Sequence, residues 1–307
     1  MAANTAPVEP PTAANWLSIL FLGLIWGGTF MLTKIALGGI EPITLAASRI
    51  LLAAIALMPF ALPRMRGIGR EHLPYLIWAG LLSTAVPFSM LSWGLQHVPS
   101  AFGGLSMAML PLVLLPMAHF FVPGERLTPR RIIGVALGFA GAALLIAGGG
   151  DDPGASGPLG LAGRIVCLAA TICYSVASIL TRRCPPIDGI AMAALTLVFG
   201  AIAIVPFALF VEGAPALPPT RPLLAAIALG LVPTALAVLL RIQVVRSAGP
   251  GFMTLVNFQV PVWSVIFGVV LLGETLPPTL FAALALIGTG LVIGQWRTVR
   301  TLLHWRG

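Results

Sequence analysis

The chain is predicted to be all-helical, a polytopic membrane protein of ten transmembrane helices built as two inverted five-helix repeats. Three observations carry this expectation. Apolar runs of about 20 residues, the length needed to cross a hydrocarbon core about 30 Å thick, recur along the sequence between short polar breaks. The 307 residues are 58% hydrophobic and 8% charged, with a mean hydropathy of +1.02, which a soluble domain of this length could not carry on its surface. The runs before residue 150 also bear the same marks in the same order as those after it. An odd number of spans in each copy turns the second copy upside down.

The spans are placed at about 16–37, 43–62, 74–95, 101–122, 131–149, 160–181, 188–211, 223–244, 250–272 and 279–296. The first is read as a span and not as a cleaved leader, because residues 1–15 hold no Lys or Arg and the run exceeds the apolar core of a signal peptide. Arg64, Arg66 and Arg70 separate the second and third runs, and Arg126, Arg130 and Arg131 the fourth and fifth. Arg182 and Arg183 follow the sixth, Arg241 and Arg246 close the eighth, and Arg297, Arg300 and Arg306 follow the tenth. All of these fall on one side of the membrane, against Lys34 and Arg221 on the other. Flanking cations stay in the cytoplasm, so both termini are expected there. The net charge of +8 is scattered over these short segments and does not form a nucleic-acid surface. Cys167, Cys173 and Cys184 lie in or just after one span, which argues against disulfides or a zinc site.

The repeat can be read residue by residue. Trp26 precedes Lys34 by eight residues in the first span, as Tyr174 precedes Arg182 in the sixth. GLLSTA at 80–85 matches GLVPTA at 230–235. Pro111 with Gly124, Glu125 and Leu127 matches Pro261 with Gly273, Glu274 and Leu276. The two copies are delimited as 16–149 and 160–296.

With these marks the chain resembles the ten-span EamA-type transporters of the drug/metabolite transporter superfamily. The residues that carry the resemblance are Trp26-Gly27, Pro42 and Arg49, Pro111 with Gly124-Glu125-Arg126-Leu127, and Pro261 with Leu272-Gly273-Glu274. It covers about residues 16–296. The resemblance implies a secondary active transporter of the inner membrane that exports amino acids, related metabolites or small toxic compounds by alternating access, and no cofactor. An uptake permease or exchanger for small organic solutes is the alternative. A membrane-embedded lipid-phosphate enzyme ranks lower, since the spans lack the convergent carboxylates, histidines or metal cluster that such chemistry needs. The second copy has no counterpart to Arg49 and carries Thr275 where the first has Arg126.

Candidate binding residues follow from polarity at depth. Arg49 lies seven residues into its span, about 10 Å from the nearer boundary, where a cation costs about 2.5–3.5 kcal/mol on the insertion scale and needs a cavity or a partner. Two readings stand for it: a lure for a carboxylate or phosphate, or a structural cation on backbone carbonyls. Lys34, Arg164 and Arg241 are close enough to span ends to snorkel. His119, the single histidine within a span, is a candidate proton relay set against packing near the interface. Trp26, Thr29 and Thr33 share one helix face, and Tyr174, Ser178 and Thr181 repeat that geometry. Thr84 and Thr234 are equivalent mid-span positions, and Trp93, Asn257 and Gln259 complete the set expected to line a substrate site. For the hydroxyls, bonding to their own helix is the competing reading. Pro111 and Pro261 are read as kinks beside the cavity. Gly134, Gly138 and Gly141 make the fifth span a small-residue face, a place for helix packing or for homodimer contact.

Overall fold

A computed structural model describes residues 11–121, 127–148, 157–296 and 300. Its ten long helices are α1 (Ala13–Leu37), α2 (Pro42–Arg64), α3 (Arg70–His97), α4 (Ser100–Phe121), α5 (Pro129–Ala147), α6 (Pro158–Arg183), α7 (Gly189–Val211), α8 (Thr220–Gly249), α9 (Gly251–Leu272) and α10 (Pro278–Gly294). The first nine are long and apolar enough to cross a membrane, and α10 is a shorter apolar helix of 17 residues. Among the described residues no strand occurs. Gly124, Glu125, Arg126, Arg297, Arg306 and Trp305 lie outside the described residues.

Local chemistry sets the helix starts. Thr12 and Thr128 accept from backbone N–H groups in the first turns of α1 and α5, and Asp188 accepts from Ile190 N and Ala191 N at the start of α7. Burial opposes the Asp188 charge, but those two amides and the Arg246 guanidinium 3.0 Å away outweigh it and hold the carboxyl below the usual range. Pro42, Pro129, Pro158 and Pro278 take first-turn positions, where the missing N–H costs nothing.

The closest packing runs between the copies. α1 lies against α8 and α9, and its mirror partner α6 lies against α3 and α4. Of the other extensive pairs, α2 with α7, α4 with α9 and α5 with α10 join like to like, while α3 with α7 and α2 with α8 are exchanged for one another by the repeat. Exchanging the two copies maps this set of pairs onto itself, as a pseudo-two-fold axis in the membrane plane requires. Glycines permit the approach. A Cβ on Gly134 would stand 2.5 Å from the Gly290 carbonyl oxygen, and one on Gly290 would stand 2.5 Å from the Gly134 oxygen. The small face of α5 is thus occupied within the chain, Gly134 and Gly141 against α10 and Gly138 against Leu112 of α4.

Two carboxylates close one face of the bundle. Glu212, just past α7, accepts from Ile43 N (2.9 Å), Thr44 N (2.7 Å) and Thr44 Oγ1 (2.8 Å) at the start of α2. Glu274, just past α9, accepts from Ser100 N (2.6 Å), Ser100 Oγ (2.9 Å) and Ala101 N (3.3 Å) at the start of α4. Each caps a helix of the other copy, where an anion meets the positive end of the helix dipole. Both lie at the face opposite the start of α1. Arg164, expected to snorkel, is instead buried and donates to the Ile146 carbonyl at the end of α5 (3.0 Å). The C-terminal carbonyls of α5 give a buried guanidinium its partner there.

Two outcomes follow. Glu274→Ala leaves the amides of Ser100 and Ala101 without their acceptor and should destabilise the purified protein by about 1–3 kcal/mol, read as a lower thermal midpoint in detergent. Glu274→Gln, which keeps an acceptor, should fall between. Gly134→Leu should part α5 from α10 and lower the midpoint further than Gly288→Leu, because nothing stands within 4 Å of a Cβ at Gly288.

Candidate functional site

The centre of the bundle is organised by two equivalent helix irregularities. Leu81–Ala85 in α3 and Gly230–Leu236 in α8 are π-helical, each opening the i→i+4 ladder by one residue. These are the GLLSTA and GLVPTA segments of the repeat. Threonine hydroxyls take up carbonyls there: Thr84 Oγ1 donates to Gly80 O, and Thr234 Oγ1 donates to Leu229 O at 2.8 Å. The Pro233 carbonyl accepts from Trp26 Nε1 across the copies at 3.1 Å. Sequence reading marked these segments as repeats, but a one-residue widening has no signature beyond the proline inside one of them.

Arg49 reaches from α2 to this irregular segment of α8. Its Nε donates to Thr234 Oγ1 at 2.7 Å, and its guanidinium carbon sits 3.9 Å from the centre of the Phe88 ring of α3. Tyr174 of α6 lies within electrostatic reach of it. Gly230 lets α2 come this close, since a Cβ there would stand 2.8 Å from the Leu52 Cβ and 3.2 Å from the Arg49 carbonyl oxygen. Among the described residues no carboxylate faces Arg49, and its two terminal nitrogens have neither a hydrogen-bond partner nor a sealed surrounding. The Tyr174 hydroxyl is in the same condition. Both side chains are half-buried, Arg49 with Thr234 and Phe88 as its neighbours.

Symmetry identifies what stands opposite Arg49. The Arg49 carbonyl and Leu52 border Gly230, while the Thr196 carbonyl and Phe199 border Gly80. Thr196 therefore holds the Arg49 position in the second copy. It is buried, and its hydroxyl donates to the Ala193 carbonyl at 2.8 Å. At this depth the position is cationic in the first copy and neutral in the second.

The other expected site residues divide. Thr29, Thr33 and Ser178 donate to carbonyls of their own helices, Ile25, Thr29 and Tyr174 respectively. Asn257 lies on the inward stripe of α9 with Val260, Pro261 and Ser264, half-buried, and its amide has no partner among the described residues. Gln259 packs across Gly23 of α1, where a Cβ would come within 2.7 Å of its Oε1. Trp93 stacks edge-on against His97 near the end of α3, ring centres 4.7 Å apart, one turn and more beyond Phe88. Pro111 follows a break in α4 at Met109, whereas Pro261 sits in the unbroken segment Val256–Leu272, where α1 packs through Gly27. His119 is exposed and meets Phe120 edge-on at the end of α4. Phe88 was not anticipated, because an aromatic in an apolar run carries no mark of the cation it will meet.

Known proteins share the sequence pattern and the fold. The model of the EamA-like transporter family matches residues 14–147 and again 161–294. An uncharacterized inner membrane transporter, YedA of Escherichia coli K12, is 29% identical over 90% of this chain and 89% of its own length. A probable terminal-alkyne amino-acid exporter of Streptantibioticus cattleyicolor is 27% identical over 91% of each. A crystallographic structure with 23% identity has the same fold, with a TM-score of 0.65 over 95% of this chain and 99% of that one. Two family matches, in tandem over nearly the full length and on the two packed copies, make this chain a member of the EamA-like transporter family.

Proposed function

We propose that this transporter moves a small solute bearing a carboxylate, an amino acid or a related metabolite, outward through the inner membrane by alternating access. Arg49 carries the reading. A guanidinium placed at mid-depth with one neutral hydrogen bond, one aromatic face and open terminal nitrogens is a site awaiting an oxyanion, to which it can donate two parallel hydrogen bonds. Tyr174 and Asn257 supply neutral polar contacts, Trp26 and Phe88 supply apolar walls, and Thr234 fixes the guanidinium without neutralising it. Such a lining suits an anionic or zwitterionic solute and disfavours a cation, which would meet Arg49 with no acid to offset it.

The amino-acid exporter among the relatives supports the substrate class and direction for this chain. The asymmetric placement of arginines supports the sidedness: with the start of α1 in the cytoplasm, Arg64, Arg66, Arg70, Arg130, Arg131, Arg182, Arg183 and Arg246 lie on the cytoplasmic face. The carboxylate caps Glu212 and Glu274 then lie on the outer face, and they favour a form that is closed outward and loaded from the cytoplasm.

Counterflow in proteoliposomes against amino acids, organic acids, nucleosides and cationic dyes, with and without a pH gradient, tests this. Carboxylate-bearing solutes should exchange and cationic dyes should not. Arg49→Gln should reduce exchange at least about tenfold, the loss of one charge-assisted contact, with membrane insertion and thermal midpoint retained. Unchanged exchange kinetics in Arg49→Gln, or a preference for the dyes, overturns the reading.

A further inference from the structure

Arg241 stands seven residues beyond Thr234 along α8, about 10 Å nearer the face where α1 starts. Helical spacing puts it on the stripe of Ala237, Val244 and Ala248, whose exposures are 0%, 0% and 2%. Arg241 alone on this stripe is exposed. On the inward face of a helix, exposure of that kind is to space inside the bundle and not to lipid. Snorkelling, the expectation for this residue, would need the outward face. Among the described residues no hydrogen bond, ion pair or ring contact holds its guanidinium.

The repeat supplies the comparison. Thr84 is the first-copy equivalent of Thr234, and seven residues beyond it stands Leu91, 8% exposed and packed in the core. Inversion puts Leu91 on the opposite side of the midplane from Arg241. One side of the midplane therefore carries an exposed cation with no acidic partner among the described residues, and the equivalent place on the other side is apolar and packed.

We propose that Arg241 is a second oxyanion-binding station. It captures the carboxylate of a solute at the mouth on the α1-start face, and the solute then moves along the α8 stripe to Arg49. This rests on the transport reading above and deepens it by naming the loading site and the source of its directionality. Two guanidiniums served by α8 positions about 10 Å apart along the helix, in walls of low dielectric, attract the same anion in sequence and repel cationic solutes along the whole path. Phosphate monoesters share the recognising chemistry. The carboxylate is favoured because Arg49 offers one guanidinium beside neutral groups, with no second cation on its own level for a dianion.

The test uses the full chain with Cys167, Cys173 and Cys184 replaced by serine. Arg241→Cys should react with membrane-impermeant methanethiosulfonates from the α1-start face only, and Leu91→Cys from neither face. No reaction at position 241, or equal reaction at both positions, overturns the proposal. In transport, Arg241→Gln should raise the half-saturation concentration for succinate or glutamate on that face about tenfold and leave the opposite face within twofold. Arg241→Lys should recover part of the loss. Glycerol phosphate in place of succinate separates the two oxyanion sources, and a stronger effect on the phosphate ester overturns the carboxylate assignment. Equilibrium binding of radiolabelled succinate to purified protein separates the two levels of argument. Binding that weakens about tenfold in Arg241→Gln while no solute crosses the bilayer removes the transport reading and keeps the station. Transport and binding that persist unchanged in Arg241→Gln remove the station and keep the transport reading.

Discussion

A guanidinium at the middle of an apolar bundle cannot give up its proton, so the surrounding protein has to make its charge tolerable. Here that is done without a carboxylate. Arg49 is held by a threonine oxygen, an aromatic ring face and a phenol nearby, none of which cancels the charge. Several features converge on this point. The π-helical turn presents Thr234 to α2, Gly230 removes the side chain that would keep α2 away, and the Trp26 bond to Pro233 ties α1 to the same irregular turn. A salt bridge would have been simpler to fold but would leave nothing for an incoming anion to replace.

The interleaving of the copies explains why the centre can be so sparsely held. Each helix finds its closest neighbours in the opposite copy, with backbones brought together at Gly27, Gly80, Gly134, Gly230 and Gly290. Lipid gives no hydrophobic drive for helices to associate, so close backbone contact has to supply the cohesion. That cohesion is strongest in the α5–α10, α2–α7 and α1–α9 contacts, and at Gly230 it brings the α2 backbone against the irregular turn of α8 beside Arg49.

Span number, span length and the repeat were legible because lipid thickness fixes the run length and because marks such as GLLSTA and GLVPTA are written twice. Depth alone also singled out Arg49. What sequence could not separate were side chains of one type with different surroundings. Arg164 and Arg241 both lie near span ends, yet one is buried and donates to the carbonyl of Ile146 and the other is exposed on a stripe of buried neighbours. Thr29 and Thr234 are both mid-span threonines that bond their own helix, and only the second also receives a guanidinium. These differences arise from which neighbour lies across the gap, and a linear pattern does not hold that information.

The two carboxylate caps sit where the bundle meets water. Parting the copies at that end uncovers the backbone amides of Ile43, Thr44, Ser100 and Ala101 together with two hydroxyls. Solvent can rehydrate every one of them at once, along with both acids, which the hydrocarbon interior could never do. Fasteners so placed are strong while dry and easily undone once wetted, the behaviour of a reversible clasp at the end of a lever. The chain has put its polar closures at the one depth where releasing them leaves no donor stranded.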